Sequence, residues 1–507
     1  DNPVHKSTDV NNALKSSTAT ISAFTPSYCA GIKGQALDLS ANVALRIPEV
    51  LEKSERPSYD AGASFSIQVW VRTLKGAQQG TPIMSNKKMN KNSDAGWCLG
   101  TKENGAWYWN MSDGKTQYNY EPTAQRQAIN DGEWHQLAVS YDAKKQELWL
   151  YLDGKNVAIY QIEKELGSLE SELKTVIGGS YEYYDWGSRS EWTAFNGMID
   201  EVGLWNTPIN SKTVSENYKK LKHNSINEEQ VAINADKLKI QVWNIWHGAH
   251  RFGQHVGVAR AIEILKKENA DIIGLIETYG SGAIIADSLG YYFYLISSNL
   301  SIMSRYPIEE TIKVFKPFFS GGALINIGNN QKVAFFDIWL NYAPDFCELY
   351  KGESIVSEFL EKEKNTRVKE ITSILSEIEA YTKNADNIPV FVVGDFNCDS
   401  HLDWTEETKN MHNGLVLDMP VSRIMLNAGF TDSYRTLHPN VTASPGYTWS
   451  PLINQAAEKP DCLMCRIDFI YYKGKKITPY YSQSFDYHPV FWPSDHSTLV
   501  SSFLLAR

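Results

Sequence analysis

The sequence predicts two folds in one chain, an all-β two-sheet sandwich followed by an α+β four-layer sandwich. Three observations carry this. The chain has 507 residues, too many for one ordinary hydrophobic core. From about 29 to 221 the pattern is short alternating strands punctuated by turn residues. From about 237 to the end, strands and helical periods mix, and an unbroken apolar run, VFVVG (390–394), leads into Asp395 and Asn397.

Each element has its own reason. Residues 1–28 are polar, carry no apolar core of a signal peptide, and read as the exposed leader of a mature chain. FSIQVWVRT (65–73), HQLAVSYD (135–142) and ELWLYLDGK (147–155) alternate apolar and polar residues, the last into an Asp153-Gly154 hairpin signal. NGMIDEVGLWN (196–206) is a further strand, and SKTVSENYKKL (211–221) has the only clear helical period of this half. Residues 222–236, KHNSINEEQVAINAD, are polar and aperiodic, as a linker is.

DGEWHQLAVSYDAKKQELWLYLDGK followed by FNGMIDEVGLWN resembles the laminin-G-like, concanavalin-A-like jelly-roll family. The resemblance covers residues 29–221 and implies a binding module, often for carbohydrate and sometimes through Ca²⁺. Trp134, Trp149 and Trp205 read as core or sheet-face aromatics. Trp107, Trp109, Tyr183, Trp186 and Trp192 stand in aromatic stretches, WYW and YEYYDW among them. Two readings stay open for these rings: they stack on a sugar, or they fill the sandwich.

After residue 237 the grammar changes. LKIQVWNIW (238–246) is a strand, GVARAIEILKKENA (257–270) a helix with one apolar face, and DIIGLIET (271–278) a buried strand. SIMSRYPI, GGALINI and VAFFDIWL are three more strands, and a Glu- and Lys-rich helix spans about 354–381. A helix near 420–428, RIDFIYY (466–472) and SDHSTLVSSFLL (494–505) complete the domain, 237–507.

Polar residues recur where these apolar strands end: Asn244, Glu277, Asp395 with Asn397, Asp468, and Asp495-His496. Each alone is a turn residue or a salt-bridged acid; an isolated D-x-N is usually an Asx turn. Together they are carboxylates and amides on rigid supports, the donor set that suits Mg²⁺ or Mn²⁺. A histidine beside an aspartate suits proton transfer or stabilisation of a developing charge.

The motifs N-x-W, I-x-x-x-E-T, S-R-Y-P-I, G-D-F-N, Y-T-W, R-I-D-F-I and S-D-H resemble the endonuclease/exonuclease/phosphatase superfamily, whose fold is that of pancreatic deoxyribonuclease. The resemblance implies hydrolysis at phosphorus. It implies metal ligation by Glu277, with Asn244 beside it and Asp495 adding to the shell. It gives Asp395 the attacking water, Asn397 a phosphate oxygen, His496 a contact to the phosphate, and Asp468 the orientation of that histidine.

One position departs from the family. Most members carry a second histidine in a strand ending T-H-L; here the segment is FDIWL, with Trp339 in its place. Tryptophan cannot transfer a proton. His247, His250 and His255, in HGAHRFGQH, are the candidates to replace it, and Arg251 in the same loop is a candidate phosphate clamp. The alternative for this loop is a solvated turn.

The net charge of −10 argues against tight nonspecific binding to nucleic acid, and no stretch is long and apolar enough for a membrane span. The six cysteines include Cys462-x-x-Cys465, two ligands short of a structural zinc site, so a local disulfide or two thiols is expected. The expectation is a secreted, periplasmic or cell-surface phosphohydrolase, most simply a phosphodiesterase, acting on a phosphorylated glycan, glycolipid or nucleic acid. Two alternatives remain: a nonspecific secreted nuclease, and a carbohydrate- or surface-binding protein whose hydrolase domain has decayed.

Overall fold

In the computed structural model the chain forms two compact units, Asp1–Glu229 and Gln230–Arg507. The structure describes residues 27–40, 49–76, 80–88, 92–183, 190–222, 236–328, 331–350, 352, 355–451 and 464–506, and the short strand His5–Lys6. Most of the expected leader and linker lie outside the described residues. Among the described residues no helix is long and apolar enough to cross a membrane.

The N-terminal unit is a β-sandwich. One sheet runs Ser27–Ala30, Gln35–Asp38, Met198–Trp205, Phe65–Leu74, Asp131–Asp142, Glu147–Leu152, Lys155–Gln161, with its described pairs antiparallel. The second runs Glu49–Leu51, Thr175–Ile177, Pro82–Ser85, Gly96–Thr101, Trp107–Ser112, Gln117–Tyr120. Aromatic rings fill the core. Tyr59 meets Phe65 and Trp97 edge-on, and Trp97 stacks on Trp109 with centroids 5.6 Å apart. The helix Ser211–Lys222 covers the outer face of the first sheet, where Tyr218 stacks on Trp70. Its Val214 packs with Ala138, Tyr151 and Trp205.

The C-terminal unit has two six-stranded sheets. The first runs Tyr292–Leu295, Leu300–Ser304, Ile272–Ile276, Lys237–Asn244, Thr498–Leu505, Ile477–Phe485. The second runs Ile308–Lys313, Ser320–Gly328, Gln331–Trp339, Val390–Asp395, Asp468–Lys473, Thr431–Asp432. The pairs Lys237–Asn244 with Ile272–Ile276 and Gln331–Trp339 with Val390–Asp395 are parallel, so in each sheet two neighbouring strands end at the same edge. That shared edge collects the polar strand-end residues.

Two glycines set the spacing. A Cβ on Gly274 would lie 2.7 Å from Asp337 Oδ1 and 2.8 Å from Val393 Cγ2, so the facing sheets meet here only because Gly274 has no side chain. A Cβ on Gly394 would lie 1.9 Å from the Ile338 carbonyl oxygen, and its φ of +147° already disfavours other residues.

The helix expected over 354–381 is three helices, Val356–Asn365, Arg367–Glu377 and Glu379–Lys383. It breaks at Thr366 (φ −116°, ψ −97°), where the fully buried Arg367 turns inward and donates to the carbonyls of Asn341, Tyr342 and Pro344. Cys347 is disulfide-bonded. Cys465 is a buried core residue outside any disulfide, so the local bridge expected with Cys462 is not made; Cys462 itself lies outside the described residues.

Candidate active site

The site lies where four strands end. In parallel register Trp339 pairs with Asp395, and across the antiparallel pair Asp395 faces Asp468, so these side chains share a face of one sheet. Asn244 ends a strand of the other sheet, and Glu277 follows the neighbouring strand directly.

Asn244 joins the two acids. Its Nδ2 donates to Glu277 Oε1 at 3.3 Å and to Asp395 Oδ2 at 3.2 Å, while its Oδ1 accepts from Trp246 N at 3.0 Å. Glu277 Oε2 accepts from the backbone N–H of His247 at 2.7 Å. Glu277 has φ +56°, a strained conformation for this residue type, and Asn299 holds it by accepting from its N–H.

His496 is fixed from every side. Its Nδ1 lies 2.9 Å from Asp468 Oδ2. Its carbonyl accepts from the indole N–H groups of Trp243 (3.1 Å) and Trp492 (2.8 Å), and its N–H donates to Ser494 Oγ. Its Nε2 is 3.9 Å from Asp395 Oδ2 and 4.0 Å from Asp495 Oδ1. Those separations are too long for hydrogen bonds and leave room for a ligand oxygen.

Burial pushes the Asp395 carboxyl upward, partly offset by His496, with Asp468 adding to the rise. Burial works against a charged His496 ring, but Asp468, Asp495 and Asp395 together push its pKa up to about 10. Burial also raises Asp495. The buried oxygens Asp468 Oδ1 and Asp495 Oδ1 have no hydrogen-bond partner among the described residues.

Asp395, Asp468 and His496 are the one group of three metal-capable side chains among the described residues whose ligand atoms all lie within 4.8 Å of one another. Part of that closeness is the Asp468–His496 hydrogen bond itself. Glu277, Asn244 and Asp495 surround it. No Lys or Arg among the described residues pairs with Glu277, Asp395, Asp468 or Asp495; their ion-pair partners are histidines alone. Such an excess of oxygen donors fits a hard divalent cation.

Asn397, at φ +51°, donates its N–H to Asp395 Oδ1 (2.9 Å) and one Nδ2 hydrogen to the Leu340 carbonyl (2.8 Å). The second Nδ2 hydrogen remains for a ligand. The histidine loop is a left-handed turn: Trp246, His247, Gly248 and Ala249 have φ between +49° and +67°. His247 is exposed and stacks on Tyr279, with its Nδ1 3.9 Å from Glu277 Oε2. His250 is half-buried and His255 exposed. Arg251 lies over the Trp246 ring at 4.8 Å. Only His247 of this loop reaches the acids.

The aromatic candidates of the N-terminal unit need correction. Trp107 and Trp109 are both 0% exposed, in the sandwich interior, because the WYW strand is covered on both faces. Trp107 Nε1 donates to the buried Gln127 Oε1, and its ring packs on Tyr120. Neither ring can stack on a sugar. Trp186 lies outside the described residues, as do the side chains of Tyr183 and Trp192. The described residues of this unit offer no group of three acids or histidines for Ca²⁺.

Sequence reading missed Asn299, Thr448, Phe318 and Phe319. Thr448 Oγ1 accepts from the N–H groups of Ile467 and Asp468, pinning the aspartate that holds His496. Its place in Y-T-W was the available signal; Asn299 sits in an aperiodic turn and gave none. Asp337, two residues before Trp339, is fully buried with both oxygens unpartnered, and burial pushes its carboxyl well above the ordinary range.

Residues 242–496 match the Endonuclease/Exonuclease/phosphatase family, and residues 52–215 match the Concanavalin A-like lectin/glucanases superfamily in its laminin-G form. An uncharacterised protein of Caenorhabditis elegans is 27% identical over 295 residues, covering 52% of this chain and 91% of that protein. The non-toxic nonhemagglutinin type A of Clostridium botulinum is 25% identical over 176 residues, which are 34% of this chain and 13% of that protein. Among solved structures, truncated TDP2 of Caenorhabditis elegans is 16% identical, covering 53% of this chain and 98% of that one, with a TM-score of 0.38.

Proposed function

The chain belongs to the endonuclease/exonuclease/phosphatase family, with a lectin-like domain in front, and from that premise we propose a divalent-metal-dependent phosphodiesterase acting on extracellular phosphorylated material. The observation that carries this reading is the Asn244 amide, which ties Glu277 to Asp395 opposite the His496–Asp468 pair.

The residues present fit a bound Mg²⁺ or Mn²⁺. Glu277, Asn244 and Asp495 would hold it, and the ion would supply Lewis acidity toward the phosphoryl and departing oxygens. The remaining work falls to the chain. Asp395, held above the usual carboxylate range by burial, takes a proton from the attacking water. His496 stays protonated and offers Nε2 to a phosphoryl oxygen, since Nδ1 is engaged by Asp468. Asn397 offers its second Nδ2 hydrogen to another phosphoryl oxygen. Phosphoryl transfer needs this positioning and charge neutralisation more than covalent help.

His247, whose ring Nδ1 lies 3.9 Å from Glu277 Oε2, is our candidate to serve where Trp339 cannot. The disulfide at Cys347 supports an oxidising, extracellular or periplasmic setting. The lectin-like domain supports a glycan or glycolipid carrier of the phosphate, and the net charge of −10 argues against nonspecific binding of a nucleic-acid polymer. The test is turnover of bis-p-nitrophenyl phosphate by the full chain in Mg²⁺ and after chelation, beside p-nitrophenyl phosphate. Diester turnover that chelation abolishes is expected. Equal turnover in chelator would overturn the metal dependence, and preference for the monoester would overturn the diesterase reading.

A further inference from the structure

Three aromatic residues, Phe318, Phe319 and Trp339, are tied through their backbone to the strand ends that carry Glu277, Asp395 and Asn397. Asn299 accepts from the Glu277 N–H and donates its Nδ2 to the Phe318 carbonyl at 2.9 Å. The Trp339 N–H donates to the Phe319 carbonyl at 2.8 Å. The next residue, Leu340, donates its N–H to the Asp395 carbonyl and accepts from Asn397 Nδ2. One continuous chain of contacts therefore runs from Glu277 through Phe318, Phe319 and Trp339 to Asp395 and Asn397.

The rings form a corner. Trp339 meets Phe318 at 5.6 Å and 85°, and Phe319 at 5.6 Å and 50°; Phe318 and Phe319 meet at 5.9 Å and 69°. All three are only half-buried, though rings of this size gain most from full burial. Trp339 shares a sheet face with Asp395, being its register partner in a parallel pair. Below it the same face is closed: Asp337 and Val393 press against Gly274. Trp339 thus stands at the top of the inter-sheet layer, beside the acid.

We propose that Trp339, Phe318 and Phe319 form a subsite that stacks a flat aromatic ring, an aryl group or a nucleobase, carried on the phosphoester. This rests on the phosphoesterase reading of the site and adds the class of group attached to the phosphate. Aromatic rings pair favourably in offset-stacked or edge-to-face contact, and stacking a base on protein aromatics is sequence-tolerant because every base has a π-face.

The experiment is calorimetric titration of the full chain in Mg²⁺ with methyl, cyclohexyl and phenyl phosphate, then thymidine 5′-monophosphate against ribose 5-phosphate. Phenyl phosphate is expected to bind about tenfold tighter than cyclohexyl phosphate, in line with measured stacking on protein aromatics. Trp339→Leu and, separately, Phe318→Leu should abolish that preference and leave methyl phosphate binding as it was. A matching preference for the thymidine ester supports the subsite and assigns the ring to a nucleobase; its absence beside a phenyl preference assigns it to an aryl ester. Equal binding of phenyl and cyclohexyl phosphate, with methyl phosphate bound, would overturn the subsite alone. No binding of any phosphate would overturn the phosphoester site and the subsite with it.

Discussion

The two units bury different things. The N-terminal sandwich hides tryptophan: Trp70, Trp97, Trp107 and Trp109 are each 0% exposed. The C-terminal unit hides charge and amide at its strand ends: Asn244, Asp395, Asp468 and His496 are all buried. Burying a ring is favourable and needs no purpose beyond packing. Burying two acids beside one histidine costs free energy unless something compensates. The difference teaches where to look for chemistry: in the second unit the packing opposes stability, and a ligand or cation is what makes sense of it.

The comparison can be broken in four places. The largest effect is expected at His496. His496→Gln should lower kcat/KM for a phosphodiester by roughly 10²- to 10⁴-fold, the range for a lost acid–base group, with the fold intact by circular dichroism. A variant within a few-fold of the parent would place the chemistry elsewhere. The same logic inverted applies to Trp109. Trp109→Ala should cost about 3–5 kcal/mol in denaturant unfolding, because it empties a packed aromatic site. A loss below about 1 kcal/mol would return that ring to the list of surface candidates.

Arg466 sharpens the contrast within the second unit. It is buried between Asp403 and Asp432 at 2.7 Å from each and donates its Nε to Asp403. Here the buried charges are paired, so Arg466→Met should destabilise by about 3–5 kcal/mol by leaving Asp432 without its cation, while Asp403 keeps Arg435. Equilibrium unfolding decides it.

The smallest effect concerns Asp337, which has no partner to lose. Its folded pKa is raised by burial, above an unfolded value of about 3.9. The unfolded chain therefore releases this proton first as pH rises, and folding loses stability from about pH 4 upward until the folded carboxyl ionises. The stability of Asp337→Asn relative to the parent should climb between pH 4 and 8. A flat difference would mean that Asp337 is already ionised and paired.

The strand ends were legible because their pattern is local. A β-branched apolar run closing on G-D-F-N announces a buried strand with a polar exit, and Val390–Asp395 is that strand. Asp468 and Asp495-His496 stand at the opposite end of the pattern, at the start of apolar strands, and were legible from it too. The rings of WYW were not, because alternation gives the face of a side chain and not what covers that face; here a second sheet and aromatic neighbours do. The break at Thr366 was hidden because a helical period continues through it, and only the inward turn of Arg367 toward three carbonyls interrupts the helix. Asn299 and Phe318 link Glu277 to Trp339 across loops without any period, so three-dimensional contact alone reveals them.

The central claim is that the buried acids of the second unit act on phosphorus. It is tested most directly by Asp395→Asn, which keeps the size of the side chain and removes the carboxylate proposed as the base. Wild type and variant would be compared for kcat on bis-p-nitrophenyl phosphate in Mg²⁺, with unfolding curves taken in parallel. The account predicts loss of turnover by at least about a hundredfold, with stability equal or higher because a desolvated acid has gone. Turnover retained in a folded Asp395→Asn chain would contradict it.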